Sequence, residues 1–208
     1  IGHHQRHRAA GGGHLDPDTY ANPRSLDAAR LAAGAVVRAV DALMAHEVEN
    51  ALALVRPPGH HATRDRAMGF CLLNNIAIGT QHALDAHHLE RVLIVDYDVH
   101  HGNGTQDIFY RTSRVLYFST HQYPYYPGTG SWTEIGEGEG AGFTVNVPFP
   151  SGVGDVGYQR AFDDLLFPLA ERYRPQLMLV SVGFDAHWRD PLASENLSIA
   201  GYVSLART

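Results

Sequence analysis

The stretch Val92-Leu-Ile-Val-Asp96-Tyr-Asp98-Val-His100-His101-Gly102-Asn103-Gly104 decides the fold. Its four opening apolar residues show no polar alternation, which is the pattern of a strand buried on both faces, and such strands belong to parallel sheets covered by helices. Residues 115–119, 143–147 and 177–182 read the same way. Between them the period changes. From Ser25, read as an N-cap, apolar residues recur at Leu26, Ala29, Ala33, Val36, Val40, Leu43 and Met44, which is helical spacing with one core-facing side. Further helices are expected at 72–86, at 155–172 and from about Ser198. The run 51–55 reads as a short strand stopped by Pro57-Pro58-Gly59. Residues 1–24 read as loop, punctuated by Gly11-Gly12-Gly13, Pro17 and Pro23, with His3, His4, His7 and His14 as solvated side chains. Strands alternating with helices predict an α/β domain with a mainly parallel central sheet flanked by helices, one domain over 1–208 without internal repeats.

Composition narrows the function. At 208 residues the chain can bury about 70% of its unfolded surface, so a metal would serve chemistry rather than folding. Against 22 acidic residues stand 16 Lys+Arg, a net charge of −6, which argues against direct nucleic-acid binding through a broad basic face. The lone cysteine, Cys71, excludes an internal disulfide and every multi-cysteine zinc module and, with no secretory pattern at Ile1, points to a cytoplasmic location. No apolar stretch approaches membrane-spanning length, so no membrane is expected as partner. Oligomeric state is not legible. The 14 histidines are the unusual number, because imidazole is the commonest metal ligand and titrates nearest neutrality.

Ligands of open α/β sheets bind beyond the carboxyl ends of strands. In extended backbone Asp96, Asp98 and His100 share one face, and acids held there between a buried strand and a glycine-rich turn call for a cation. A second strand end carries Gly183-Phe-Asp185. Asp98, His100 and Asp185 together would make a three-ligand site with open positions, the pattern of a catalytic zinc, although Asp185 alone reads equally well as a turn or N-cap residue. A third strand end carries Arg56-Pro-Pro-Gly-His60-His61-Ala62. Its adjacent histidines suit proton transfer, each needing a partner on its far nitrogen, for which Asp96 and Asn103 are the unassigned groups. A carboxylate partner would favour the imidazolium and an amide would not.

These segments, with Gly69-Phe-Cys-Leu-Leu-Asn-Asn75 and Tyr126-Pro-Gly-Thr-Gly130, are similar to successive signatures of the zinc-dependent histone deacetylase family, in the arginase/deacetylase superfamily. They follow the family order from residue 56 to 192, and Asn103, where class I members usually carry Asp, resembles the class II branch and its bacterial relatives. The resemblance implies Asp98, His100 and Asp185 as zinc ligands, His61 as general base and acid, and His60 as its electrostatic partner paired to Asp96. It implies Gly69, Phe70, Tyr126 and Leu192 as walls of a narrow apolar tunnel for an acyl-lysine stem. Asp96 and Ser119, with backbone carbonyls of Asp98, His100 and Thr120, match an inner monovalent-cation site, usually potassium. A rim aspartate falls at Asp16 or Asp18.

The implied activity is hydrolysis of an acetyl amide, with acetylated lysine peptides or acetylated polyamines as substrates. The family also supplies a tyrosine from a glycine-rich loop downstream of the last ligand. Tyr202, the only tyrosine after Asp185, lies in an expected helix without such glycines. The chain is therefore read as a fragment without the family's N- and C-terminal portions, expected to bind metal better than it turns over substrate. Two rivals follow. A two-manganese ureohydrolase would need a carboxylate after His101, where Gly102 stands. A metal-containing module could bind acetyl-lysine without cleaving it.

Overall fold

The computed structural model describes residues 11–207. They form two compact units, the first running to Leu89 and including Asn103–Ile108, the second comprising Glu90–Gly102 and the chain from Phe109.

In the first unit, β1 (Gly13–His14) pairs antiparallel with β2 (Tyr20–Ala21), a short ladder inside the segment expected to be loop. The long helix α1 (Ser25–Met44) forms as predicted and buries Leu26, Ala29, Ala33 and Val40. Ser25 is not its N-cap. Arg24 occupies that position, and the Ser25 hydroxyl instead accepts from the Asn22 N–H at 2.9 Å. Helix α2 (Asn75–Ala86) starts three residues later than its apolar pattern, because the Asn74 side chain caps it by accepting from the Ala77 N–H at 3.1 Å. The strand expected at 51–55 is absent: Leu52 and Leu54 are largely exposed, and no described strand offers these residues a ladder. An apolar run becomes a strand only where an edge can pair with it.

The second unit is built on four strands, β3 (Val92–Asp96), β4 (Val115–Gln122), β5 (Thr144–Phe149) and β6 (Leu177–Ser181), all parallel in the order β5-β4-β3-β6. β3 and β4 are buried throughout. β6 is an edge strand among the described residues, and alternate residues Met178 and Val180 are exposed, so its unbroken apolar run is not buried on both faces as expected. Leu93, Val95, Leu116 and Phe118 pack with Tyr158, Phe162 and Leu166 and with Tyr202 and Leu205 of α6 (Ile199–Arg207). The single helix expected at 155–172 is three pieces, α4 (Asp155–Ala161), a π turn (Phe162–Leu166) and α5 (Phe167–Tyr173). The helix expected near Ser198 is α6, and the Ser198 hydroxyl accepts from the Gly201 N–H at 3.0 Å, the bond of an N-cap. Among the described residues no helix is long and apolar enough to cross a membrane.

The register does the placing. Ser181, Asp96, Ser119 and Asn146 lie opposite one another across the sheet, so the apolar rows end in one polar row at the carboxyl edge.

One buried acid stands apart. Glu195 is almost wholly buried, and that burial outweighs the backbone amide of Val153 and pushes its carboxyl up to about 7. A carboxyl whose folded-state pKa is raised contributes most below its unfolded value of 4.5 and loses that contribution as pH climbs through 7. Glu195→Gln removes the titration. It should raise the thermal midpoint at pH 8 and flatten the fall in stability between pH 4.5 and 7, read by melts across that range.

Candidate metal centre and histidine loop

Two residues past the polar row on β3 and four past it on β6, the chain delivers Asp98 and Asp185 to one place. His100 Nδ1 lies 3.1 Å from Asp98 Oδ1 and 3.0 Å from Asp185 Oδ2, and the three ligand atoms lie within 4.8 Å of one another. Four ligands placed tetrahedrally at about 2.0–2.2 Å from an ion would be separated by roughly 3.3–3.6 Å, so this spacing fits a zinc-sized cation with little movement. Asp185, expected as a ligand from its strand-end placement, has one oxygen toward His100 and the other accepting from the Val99 N–H at 3.0 Å. The Asp98 carboxylate is held likewise by the His100 N–H at 2.9 Å.

The three side chains are mostly buried, each about one-sixth exposed, so the site is shielded yet open to solvent. Burial disfavours a charge on His100, but hydrogen bonds to Asp185 and Asp98 outweigh it and lift the imidazole to about 9. Paired carboxylates demand positive charge between them, and a divalent ion answers both at once.

Neighbouring groups are ordered around this cluster. Asp96, wholly buried, accepts from the Asp98 N–H at 3.3 Å and from the Tyr117 hydroxyl at 3.3 Å. Ser119, its ladder neighbour, contacts His121 Nδ1 at 2.9 Å, and the Thr120 hydroxyl is buried without a partner among the described residues. Tyr125 stacks on His100 at 5.7 Å between ring centroids, and Tyr126 meets it edge-on at 6.0 Å. The Tyr125 hydroxyl donates to the Leu192 carbonyl, which ties Leu192 to the Tyr125–Tyr126 turn. Tyr202 instead sits in the core against Phe184 and Tyr97.

Two residues went unassigned in the sequence. His101 contacts Thr129 Oγ1 at 2.8 Å, and His121 donates from Nε2 to the Gly130 carbonyl at 2.9 Å. Burial pushes His121 down to about 4, so it is a neutral imidazole that anchors the Tyr126–Gly130 loop from beneath. No spacing rule would have found that role, because it depends on two rings meeting across a turn, 4.7 Å apart.

In the first unit the tandem histidines are both buried, with ring centroids 4.0 Å apart. The amides of Gly104 and Thr105, at the start of α3 (Asn103–Phe109), donate to the His60 carbonyl at 2.9 and 3.1 Å. His61 Nδ1 meets Asn103 Oδ1 at 2.8 Å. The Asn103 amide nitrogen faces the His61 carbonyl and Met68 Sδ, which leaves its oxygen as the acceptor, so Nδ1 of His61 carries the proton and Nε2 the lone pair. The segment Gly69–Asn75 locks this loop. Asn74 donates to the Ala62 carbonyl at 3.1 Å and Asn75 to that of Pro57 at 3.0 Å. Gly69, at φ 55°, lies so close to His61 that a Cβ there would fall 2.4 Å from its ring. Phe70 follows at φ 65°, half-exposed, with its N–H on Thr19 Oγ1. Cys71 is buried, and its thiol donates to the Gly69 carbonyl at 3.2 Å. His14 packs edge-on against Tyr20, while His3, His4 and His7 lie outside the described residues.

The strand ends of a parallel α/β sheet thus bring together two acids and an imidazole in a cluster that could hold a metal ion. The histone deacetylase domain matches residues 2–208, and the chain belongs to that family. A probable deacetylase of Archaeoglobus fulgidus is 47% identical over 196 residues, covering 94% of this chain and 54% of that protein. A polyamine deacetylase of Rattus norvegicus, HDAC10, is 49% identical over 179 residues, 83% of this chain and 30% of its own length. The crystal structure of the HDA15 HD domain superposes with a TM-score of 0.96 at 43% identity, covering 99% of this chain and 59% of that one. The chain thus spans about half the length of the curated relatives it matches, or less.

Gly183 packs directly against the candidate metal centre. A Cβ there would lie 2.0 Å from Asp98 Oδ2 and 2.7 Å from Asp185 Oδ1, and both carboxylates are pinned by backbone amides. Gly183→Ala should weaken zinc binding about 10–100-fold, the usual effect of disturbing a ligand's support. Calorimetric titration with Zn²⁺, alongside circular dichroism to confirm the fold, checks this.

Proposed function

We propose that this chain carries the catalytic centre of a metal-dependent amidohydrolase that removes acetyl groups from acetyl-lysine side chains. The observation that carries the reading is the convergence of Asp98, His100 and Asp185, three ligand atoms within 4.8 Å. The donor set suits one zinc ion per chain, with positions left for water and substrate. Bound there, zinc would supply Lewis acidity and lower the pKa of water from about 15.7 towards about 7.

The protein's own groups supply the rest. Asn103 fixes the tautomer of His61 so that Nε2 can take a proton from water and later deliver one to the departing amine. The resemblance implies His60 as its electrostatic partner, paired to Asp96. The resemblance implies Gly69, Phe70, Tyr126 and Leu192 as walls for the acyl-lysine stem, and Phe70 and Leu192 are each about half-exposed and available for it. Asp18 is the better candidate for the rim acid. Asp16 turns its carboxylate onto the Asp18 N–H at 3.0 Å, whereas Asp18 borders a groove shared with Tyr20, Arg56 and Phe70. A potassium ion would draw on Asp96 and Ser119, which face one another in the sheet register, with carbonyls of Asp98, His100 and Thr120. A single buried cysteine, Cys71, suits a cytoplasmic location.

A second reading is deacetylation of acetylated polyamines, favoured by the likeness to a polyamine deacetylase. Turnover of the zinc-loaded protein on an acetyl-lysine peptide and on an N-acetylated polyamine separates the two. His61→Ala should lower turnover about 10²–10⁴-fold with zinc content unchanged. Equal turnover in wild type and variant would remove His61 from the chemistry. Peptide binding without any turnover would make the chain a recognition module instead.

A further inference from the structure

A second cluster of metal-ligating side chains lies in the first unit, outside the groups used above. Asp41 of α1 and His82 and His87 at the end of α2 converge so that both imidazoles present the same nitrogen to one carboxylate oxygen. His82 Nε2 is 2.6 Å and His87 Nε2 2.8 Å from Asp41 Oδ1. The rings stand edge to face, 5.3 Å between centroids at 83°, and the three ligand atoms lie within 4.8 Å of one another.

The sequence hides this site. Residues five apart sit about 140° apart around a continuing helix, so His82 and His87 would not share a face. The helix stops instead. His87 is the last capping residue, His88 takes the left-handed φ of 56°, and the Leu89 N–H returns to the Ala83 carbonyl at 3.3 Å. His87, leaving the helix at φ −104°, ψ 3°, reaches Asp41 beside His82. Hydrogen bonds from His82 and then His87 hold the Asp41 carboxyl below its ordinary value, so it is a charged ligand at neutral pH.

We infer that Asp41, His82 and His87 form a second divalent-cation site, selective for zinc-like ions, with solvent completing the coordination. Two imidazoles and one carboxylate are a zinc donor set. The present N···O distances are shorter than the roughly 3.3–3.6 Å between neighbouring ligands around a tetrahedral ion, so entry needs the rings to withdraw by under about an ångström. Side chains between one-quarter and about one-third exposed can do so, and the same exposure provides the entry path. An ion there would clamp α1 to α2.

The test is zinc stoichiometry by equilibrium dialysis and elemental analysis on the whole chain, comparing wild type with His82→Gln/His87→Gln, with Asp41→Asn, and with His100→Ala. Wild type should hold one more ion than His82→Gln/His87→Gln, and zinc should raise the melting temperature of His100→Ala but not that of the triple variant His82→Gln/His87→Gln/His100→Ala. Asp41→Asn should lose the same ion, which guards against a folding defect in the double variant. If the metal centre of the proposed function failed, wild type and His100→Ala would bind equally while the double variant would still lose one ion. Zinc content equal in wild type, the double variant and Asp41→Asn would overturn the inference and leave the cluster a hydrogen-bonded staple.

Discussion

The rest of the structure depends on one electrostatic constraint: two carboxylates from different strands must face each other across one imidazole. Such a pair is costly to bury unless positive charge lies between them. The protein meets that cost with geometry. Parallel pairing sets Asp96 level with Ser181, and the loops beyond then bring Asp98 and Asp185 to His100 at 3.1 and 3.0 Å. The amides of Val99 and His100 hold the oxygens in place, so the cluster is organised by backbone rather than by flexible side chains.

The same economy governs the histidine loop of the first unit. Its two rings are oriented from three directions: by the amides that open α3, by Asn74 and Asn75, and by Gly69 pressed against His61. Glycine is required at 69 because a side chain would occupy the space of the ring and because the backbone adopts φ 55°. The Gly69–Asn75 segment therefore works largely as scaffolding for the imidazoles, in addition to presenting Phe70. Beneath the other cluster, His101 and His121 perform the corresponding task for the loop that carries Tyr126.

Much of this was legible in the residues. Unbroken apolar runs at 92–95 and 115–119 correspond to β3 and β4, because strands buried on both faces tolerate no polar alternation. The period of α1 was equally plain, since a twenty-residue amphipathic stripe has few alternative readings. Failures came where pattern lacks a partner. Residues 51–55 have strand composition but no described neighbour to pair with, and the apolar 177–182 run became a half-exposed edge strand. Ser25 has cap chemistry, yet its hydroxyl is taken by Asn22. The break of the 155–172 helix into α and π segments leaves no trace in periodicity.

By itself the sequence determined the class of fold and the strand ends that carry Asp98, His100 and Asp185, since period, glycine-rich turns and residue spacing are local properties of the chain, and the resemblance of its motifs pointed to the family. Only the tertiary structure decided that Asp185 faces His100, that His61 takes its tautomer from Asn103, and that Asp41 meets two histidines past the end of a helix. Those outcomes rest on register and helix termination, which set distances between residues 41 to 85 positions apart and which no local pattern encodes.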